Sequence, residues 1–386
     1  VRFRPPRPDS PKRVLGYLAG LVLFGIVGAI ALAYTGLYNI AADHGHPPPV
    51  YWFLEVGMTR SIELHADNDE VPPPAAPGLA RLGAGHFAGG CEYCHGKPGV
   101  PPDPISRRML PMPPKLERAS DHWTQGELAW ILDHGIQASG MPAWPSQVRA
   151  DEVWAVVAFL EELPNLSTAE YERMVAGNAR LGARSADEIT DWGEAEASLT
   201  GCARCHDTPD APPVSTLVPR LGGQSRDYLL AALKQYHLGD RESGFMMPVA
   251  AALDAAQRSR LADYYAALET PPHEQAPPDE GAVARGEQLA LFGDKDGMIP
   301  SCRSCHGEGA RADYPKLDGQ SADYLAQQLR LWQDGVHGRS EAGRIMATIA
   351  QRMSAEQVKD SAAYYASRPA FAPGGGTRQA RADGAP

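Results

Sequence analysis

All six cysteines of the chain fall in pairs with two intervening residues, and each pair is followed at once by histidine. The three motifs read Cys91-Glu-Tyr-Cys94-His95, Cys202-Ala-Arg-Cys205-His206 and Cys302-Arg-Ser-Cys305-His306, with no cysteine left over. Two thiols at this spacing lie one helical turn apart, so they can form thioethers to the two vinyl groups of one porphyrin while the next imidazole sits beneath the iron. CxxCH is the attachment signature of c-type haem. Disulfides and zinc are the competing uses of six cysteines. The chain is far longer than a disulfide-stapled mini-domain, and structural zinc needs four ligands per site, which three such motifs do not pair to supply. The pattern predicts three covalently bound haem c groups, held by Cys91, Cys94, Cys202, Cys205, Cys302 and Cys305, with His95, His206 and His306 as iron ligands.

What fills the sixth iron position separates electron transfer from catalysis, because methionine raises the potential and closes the iron to substrates. Met141, in SGMPAW, lies 46 residues after His95. Met246 and Met346 each lie 40 residues after their histidine, and both are followed by the same downstream pattern, Val249-Ala250 with Tyr264-Tyr265 and Ile349-Ala350 with Tyr364-Tyr365. Met247 adjoins Met246 and is the alternative ligand; the repeat alignment favours Met246. Met109, Met112, Met298 and Met353 lack the matching placement and are expected to be packing residues. His237 and His337 do not correspond when their segments are aligned without gaps, and both are expected at the surface. His44 and His46 have no carboxylate or thiol cluster beside them and are not expected to bind metal.

The elements that must carry these residues are helical. Val153, Val156, Val157 and Leu160 fall at i, i+3, i+4 and i+7, and Pro164 follows the run. The segment LGGQSRDYLLAAL at 221–233 matches LDGQSADYLAQQL at 317–329, so two homologous units of about 100 residues lie in tandem. In each, a GQS turn puts a serine before an apolar periodic run, an N-capping arrangement. No sustained period-two pattern competes. Residues 66–78 and 270–281 are rich in proline and acid, as extended linkers are, and the polar stretch 164–198 is expected to be a second joint. Before all of this, Val14 to Tyr38 runs 25 residues without a charge, enough to cross a bilayer as a helix. The cationic flank before it places the N-terminus in the cytoplasm and everything after it outside. A cleaved signal peptide is the competing reading, disfavoured by the length of the apolar run and the lack of a small-x-small site. Gly16 and Gly20 form a GxxxG, which arises easily by chance in such a run.

Length and charge agree with this division. At 386 residues the chain exceeds a single core. Its 39 glycines and 35 prolines make up about a fifth of it, against a usual ~12%, which points to loop-rich modules with small cores. A covalently held porphyrin would supply the apolar centre they lack. The net charge is −11; with five basic residues and one acid in the first 13 positions, residues 14–386 carry −15. So acidic a body repels phosphate backbones and excludes nucleic acid as a partner.

Residues 190–370 resemble cytochrome c4, a di-haem periplasmic cytochrome of two class I domains. The resemblance rests on the GQS-x-DYL elements, the FGDKDGMIPSCRSCHG approach to the third motif, the placement of Met246 and Met346, and the paired tyrosines. Residues 78–165 resemble a mono-haem class I cytochrome c, with CEYCH and GMPAW as anchors. The resemblance implies that the repeats bury their haems near a shared interface and that electrons pass between them. Cytochrome c4 itself usually lacks the anchor and the extra module, and residues 193–201 are shorter and less typical than their counterpart before the third motif.

The expected architecture is mainly α: a cytoplasmic stub and transmembrane helix (1–40), a linker (41–77) and three class I cytochrome c domains at 78–165, 190–270 and 281–370, the last two a c4-like tandem repeat. The expected role is a single-pass bacterial inner-membrane protein with periplasmic haem domains. It would pass electrons from a bc1 complex or a soluble cytochrome to a terminal oxidase, with no small-molecule substrate. The alternatives are the tri-haem electron-transfer subunit of a membrane dehydrogenase, and a haem peroxidase with one iron open.

Overall fold

The computed structural model describes residues 11–41, 43–66, 76–178, 194–269 and 279–370. The helical expectation holds: among the described residues there are helices and three isolated β-bridges, with no strand. The two expected linkers, 66–78 and 270–281, fall largely outside the described residues, as do 179–193 of the polar stretch 164–198. Within the last of these, Thr168–Ala176 is a helix begun by a capping box of Ser167 and Glu170, a local signal that the absence of apolar periodicity hid.

The apolar N-terminal run forms helix α1, Pro11–Thr35, fully exposed along its length. Its limits are three residues N-terminal to the charge-free run. Proline suits a first helical position, and Gly36, at φ +64°, ends the helix before Tyr38. At 1.5 Å per residue its 25 residues span about 37 Å. Helix α2, Pro48–His65, follows.

The buried apolar residues gather into three main cores. The first holds α3 (Leu79–Gly90), α4 (Gln125–His134) and α5 (Val153–Glu162). Val153, Val156, Val157 and Leu160 are all buried there, as their spacing requires. The second joins residues from Leu199 to Leu268, including α6 (Arg226–Leu238) and α7 (Ala255–Ala267). The third holds α8 (Glu280–Phe292), α9 (Ala322–Gln333) and α10 (Ala355–Ser367).

Two glycines set the closest helix crossings. A Cβ on Gly83 of α3 would lie 1.9 Å from the Ala155 carbonyl oxygen of α5, and one on Gly286 of α8 would lie 2.0 Å from that of Asp360 in α10. The first and last helices of these two units therefore meet backbone to side-chain-free backbone. Gly83→Ala should cost roughly 1–3 kcal/mol by overpacking and lower the thermal midpoint, whereas Gly57→Ala in α2, where a Cβ meets nothing within 4 Å, should not. Equal midpoints for the two variants would contradict this packing.

Candidate haem sites

Cys91 packs against the first core, Cys202 against the second and Cys302 against the third. In the first and third units the motif ends on a one-turn helix, Glu92–His95 and Arg303–His306. All six cysteines are free. Burial pushes the Cys91 thiol up to about 11, Cys205 to about 11 and Cys202 to about 12, and raises Cys302, so these thiols are neutral.

Each motif histidine is held in the same way. His95 Nδ1 is 2.8 Å from the Pro114 carbonyl oxygen, His206 Nδ1 is 3.0 Å from that of Pro219, and His306 Nδ1 is 2.8 Å from that of Pro315. A carbonyl only accepts, so Nδ1 donates and Nε2 keeps the lone pair that a metal takes. Burial also holds all three imidazoles below their ordinary pKa, against the carbonyl hydrogen bond, which favours protonation. The three prolines are a signal that the motif spacing did not reveal. Each opens a Pro-Lys/Arg-Leu triplet, at 114–116, 219–221 and 315–317.

One continuous cavity of about 1470 Å³ is lined by all six cysteines, the three histidines and Met141, Met246 and Met346. The twelve residues singled out by spacing are thus brought to one continuous, mostly apolar cavity that opens to solvent. Met246 lines it and Met247 does not. Met246 opens helix Met246–Ala252, while Met346 lies midway along helix Glu341–Ala350. Met353 is buried as a packing residue, but Met298 is exposed and Met112 is an exposed residue of the cavity rim.

His337 corrects an expectation. It is 4% exposed. Gly335, at φ +75°, turns the chain back, and the Val336 and His337 amides both donate to the Leu331 carbonyl, which tucks the imidazole beneath the helix end. Its two ring nitrogens, Trp332 Nε1, Arg241 Nε and the Tyr265 hydroxyl are buried without a hydrogen-bond partner, and these residues all line the cavity. Buried donors left unmatched by protein beside an apolar space fit a porphyrin, whose faces are apolar and whose propionates accept hydrogen bonds. Among the described residues no cluster of three or more His, Cys, Asp or Glu side chains offers a metal-ion site.

The tandem repeats join through the glutamines of the GQS turns. Gln224 accepts from the Lys316 amide (3.0 Å) and donates to its carbonyl (2.7 Å); Gln320 accepts from the Arg220 amide (2.9 Å) and donates to its carbonyl (2.8 Å). Lys316 and Arg220 directly follow the prolines that hold His306 and His206, so each repeat grips the ligand loop of the other. Of the serines, Ser225 caps its helix as expected, but Ser321 makes no capping bond. Tyr228 and Tyr324, the paired tyrosines of the DYL elements, meet at Arg241, with contacts of 3.3 and 3.1 Å.

The first unit joins the second through the methionine loops. Glu152 accepts from Trp144 Nε1 (3.2 Å), Ser243 Oγ (2.7 Å) and the Gly244 amide (2.5 Å), and pairs with Arg149 at 2.9 Å. Trp144 follows Met141 by three residues, and Gly244 precedes Met246 by two. A Cβ on Gly244 would lie 2.0 Å from Trp144 Nε1, so glycine is required there. The His86, Trp144 and Phe245 rings pack together with centroids 4.7 to 5.5 Å apart.

Comparison with known proteins gives the chain a family. Residues 78–160 match the family described as cytochrome c oxidase, cbb3-type, subunit III. A thiosulfate dehydrogenase electron acceptor from Thiomonas intermedia is 36% identical over 201 residues, which is 51% of this chain and 92% of that protein. The chain belongs to the c-type cytochromes and contains a cytochrome c4-like segment. A cytochrome c4 from Thiocapsa roseopersicina is 28% identical over 45% of this cytochrome and 91% of its own length. The solved cytochrome c4 of Acidithiobacillus ferrooxidans, 35% identical, covers 43% of this chain and 97% of its own, with a TM-score of 0.40. Membership of the family implies covalently bound haem c.

His86 gives the cytochrome a pH-sensitive joint. Burial lowers its pKa from the ordinary 6.5 to about 4. Between these values the unfolded chain binds more protons, so the stability contributed by neutral His86 is complete above pH 6.5 and is lost as the pH falls toward 4. His86→Leu should flatten the fall in thermal midpoint between pH 6.5 and 4.5. An unchanged slope in that variant would show that His86 does not carry it.

Proposed function

We propose that this cytochrome is a membrane-tethered carrier with three haems and that it moves single electrons on the periplasmic side. The observation that carries this reading is the single cavity lined by all three CxxCH motifs and all three methionines. In this reading α1 is the anchor within residues 1–40, 41–77 is a linker, and 78–165, 190–270 and 281–370 are the three haem domains. Cys91 with Cys94, Cys202 with Cys205 and Cys302 with Cys305 attach the porphyrins. His95, His206 and His306 offer Nε2, oriented by their proline carbonyls. Met141, Met246 and Met346, which line the same cavity, would be the second protein ligands to the irons and would keep water and small substrates out. Bound haem c supplies a one-electron Fe(III)/Fe(II) couple. The Glu152 contacts and the reciprocal Gln224 and Gln320 bonds keep the three sites in fixed relation.

The match of residues 78–160 to the cbb3 oxidase subunit III family supports a terminal oxidase as electron sink, with a bc1 complex or soluble cytochrome as source. A second reading is favoured by the likeness to thiosulfate dehydrogenase electron acceptors: a dehydrogenase delivers electrons to the tandem repeats. Co-purification from native membranes separates the two, since an oxidase or a dehydrogenase would come with the chain.

Two outcomes follow for the haem-loaded protein. Met246→Ala should open one site, so that the reduced protein binds carbon monoxide at about a third of its iron, whereas Met247→Ala should leave the protein closed. The reverse result would move the ligand to Met247. The −15 carried by residues 14–386 should make reduction by a basic partner slow as salt rises from ~0.01 to ~0.15 M, where the Debye length falls from ~30 to ~8 Å. A stopped-flow rate indifferent to ionic strength would remove charge from the docking account.

A further inference from the structure

Helix α2 is polarised along its length. Its first half, Val50 to Met58, carries Tyr51, Trp52, Phe53, Leu54 and Val56, all exposed. Its second half carries Thr59, Arg60, Ser61, Glu63 and His65, with Arg60 paired to Glu63 at 2.6 Å and Leu64 as its one exposed large apolar side chain. One stripe faces the first unit: Ile62 is 1% exposed, and Tyr51, Met58 and Ile62 line the haem cavity. The His65 ring stacks on Trp130 with centroids 6.2 Å apart, which fixes the second half to α4. Trp52, Phe53 and Val56 lie on the other side of the helix by helical phase and are exposed. Glu55, the one charge in the apolar half, falls about 40° from Tyr51 by helical phase, on the side of the first unit and away from the Trp52 to Val56 face.

The connector says what lies beyond that face. Tyr38, three residues past the end of α1, meets His46, with the hydroxyl 2.5 Å from Nδ1 and the rings stacked at 6.2 Å. This ties the residues just before α2 to those just after α1, so that α2 starts near the C-terminal end of α1. Adjacent tyrosine, tryptophan and phenylalanine favour the boundary between headgroups and acyl chains, and a helix there buries its apolar part while its polar part stays in water.

We infer that the first half of α2 lies in the interfacial zone of the bilayer that α1 spans and holds the mouth of the first haem crevice at the lipid surface. The inference rests on α1 being an uncleaved anchor. The first haem site is then fixed close to membrane-embedded partners.

In the haem-loaded full chain all six native cysteines are engaged in thioethers, so a cysteine introduced singly is the one free thiol. Phe53→Cys, Val56→Cys, Glu63→Cys and Phe24→Cys would each be coupled to a thiol-reactive diazirine, reconstituted in vesicles of phosphatidylethanolamine and phosphatidylglycerol, checked for an unchanged haem spectrum, and photolysed. Mass spectrometry then reads the carbene adduct. The expected result is a mass shift of one phospholipid at positions 24, 53 and 56, and a water adduct at 63. Lipid at 24 with water at 53 and 56 would overturn the placement of α2 alone. Cross-links from 53 to polypeptide would overturn it in favour of a protein occupant. Absence of lipid at 24 would overturn the anchor, and the placement with it.

Discussion

The hydrogen bond from imidazole Nδ1 to a proline carbonyl is the interaction on which the rest of the structure depends. It occurs three times, at 2.8 to 3.0 Å, and it does two things at once. It chooses the tautomer, leaving Nε2 as the lone-pair nitrogen, and it fixes the loop that carries the carbonyl. Proline suits that loop because it pre-sets φ and has no N–H to satisfy. The residue after the proline keeps both its backbone groups free for another partner. In the tandem repeats that partner is a buried glutamine of the other repeat, which takes up both groups. Ligand geometry in one unit is therefore fastened to the fold of its neighbour.

The contact between the first and second units includes the methionine loops. There the loops bearing Met141 and Met246 share the carboxylate of Glu152, and Arg149 supplies a counter-charge within the same buried cluster. A buried carboxylate is tolerated only when paired and hydrogen-bonded, and Glu152 has both kinds of partner. The third unit also reaches the methionine loop of the second, through Tyr324 on Arg241 and Arg339 on Glu242. The central unit is thus joined to both neighbours by buried polar contacts, which suits sites that must keep fixed distances while electrons pass.

The chemistry was largely readable from side-chain types, and the architecture that tunes it was not. CxxCH is the haem-attachment signature, and equal His-to-Met spacing in a repeat singles out Met246 and Met346, both of which line the cavity. The proline carbonyls escaped because the acceptor is backbone, which residue type does not report; only the recurring Pro-Lys/Arg-Leu triplet hinted at them. Gln224 and Gln320 were hidden in a turn that could be read as a helix cap. Glu152 resembles any acid in a first helical turn, and its burial comes from another unit some 90 residues away in the chain. His337 was misplaced at the surface because ungapped comparison with His237 cannot sense that Gly335 turns the backbone inward.

Intact-mass measurement of the haem-loaded protein tests the central claim most directly. If the three motifs each hold a porphyrin through two thioethers, the chain gains the mass of three haem c groups, and tryptic peptides spanning 91–95, 202–206 and 302–306 each carry one. A mass corresponding to two haems or fewer, or a free thiol at any of the six cysteines, would contradict it.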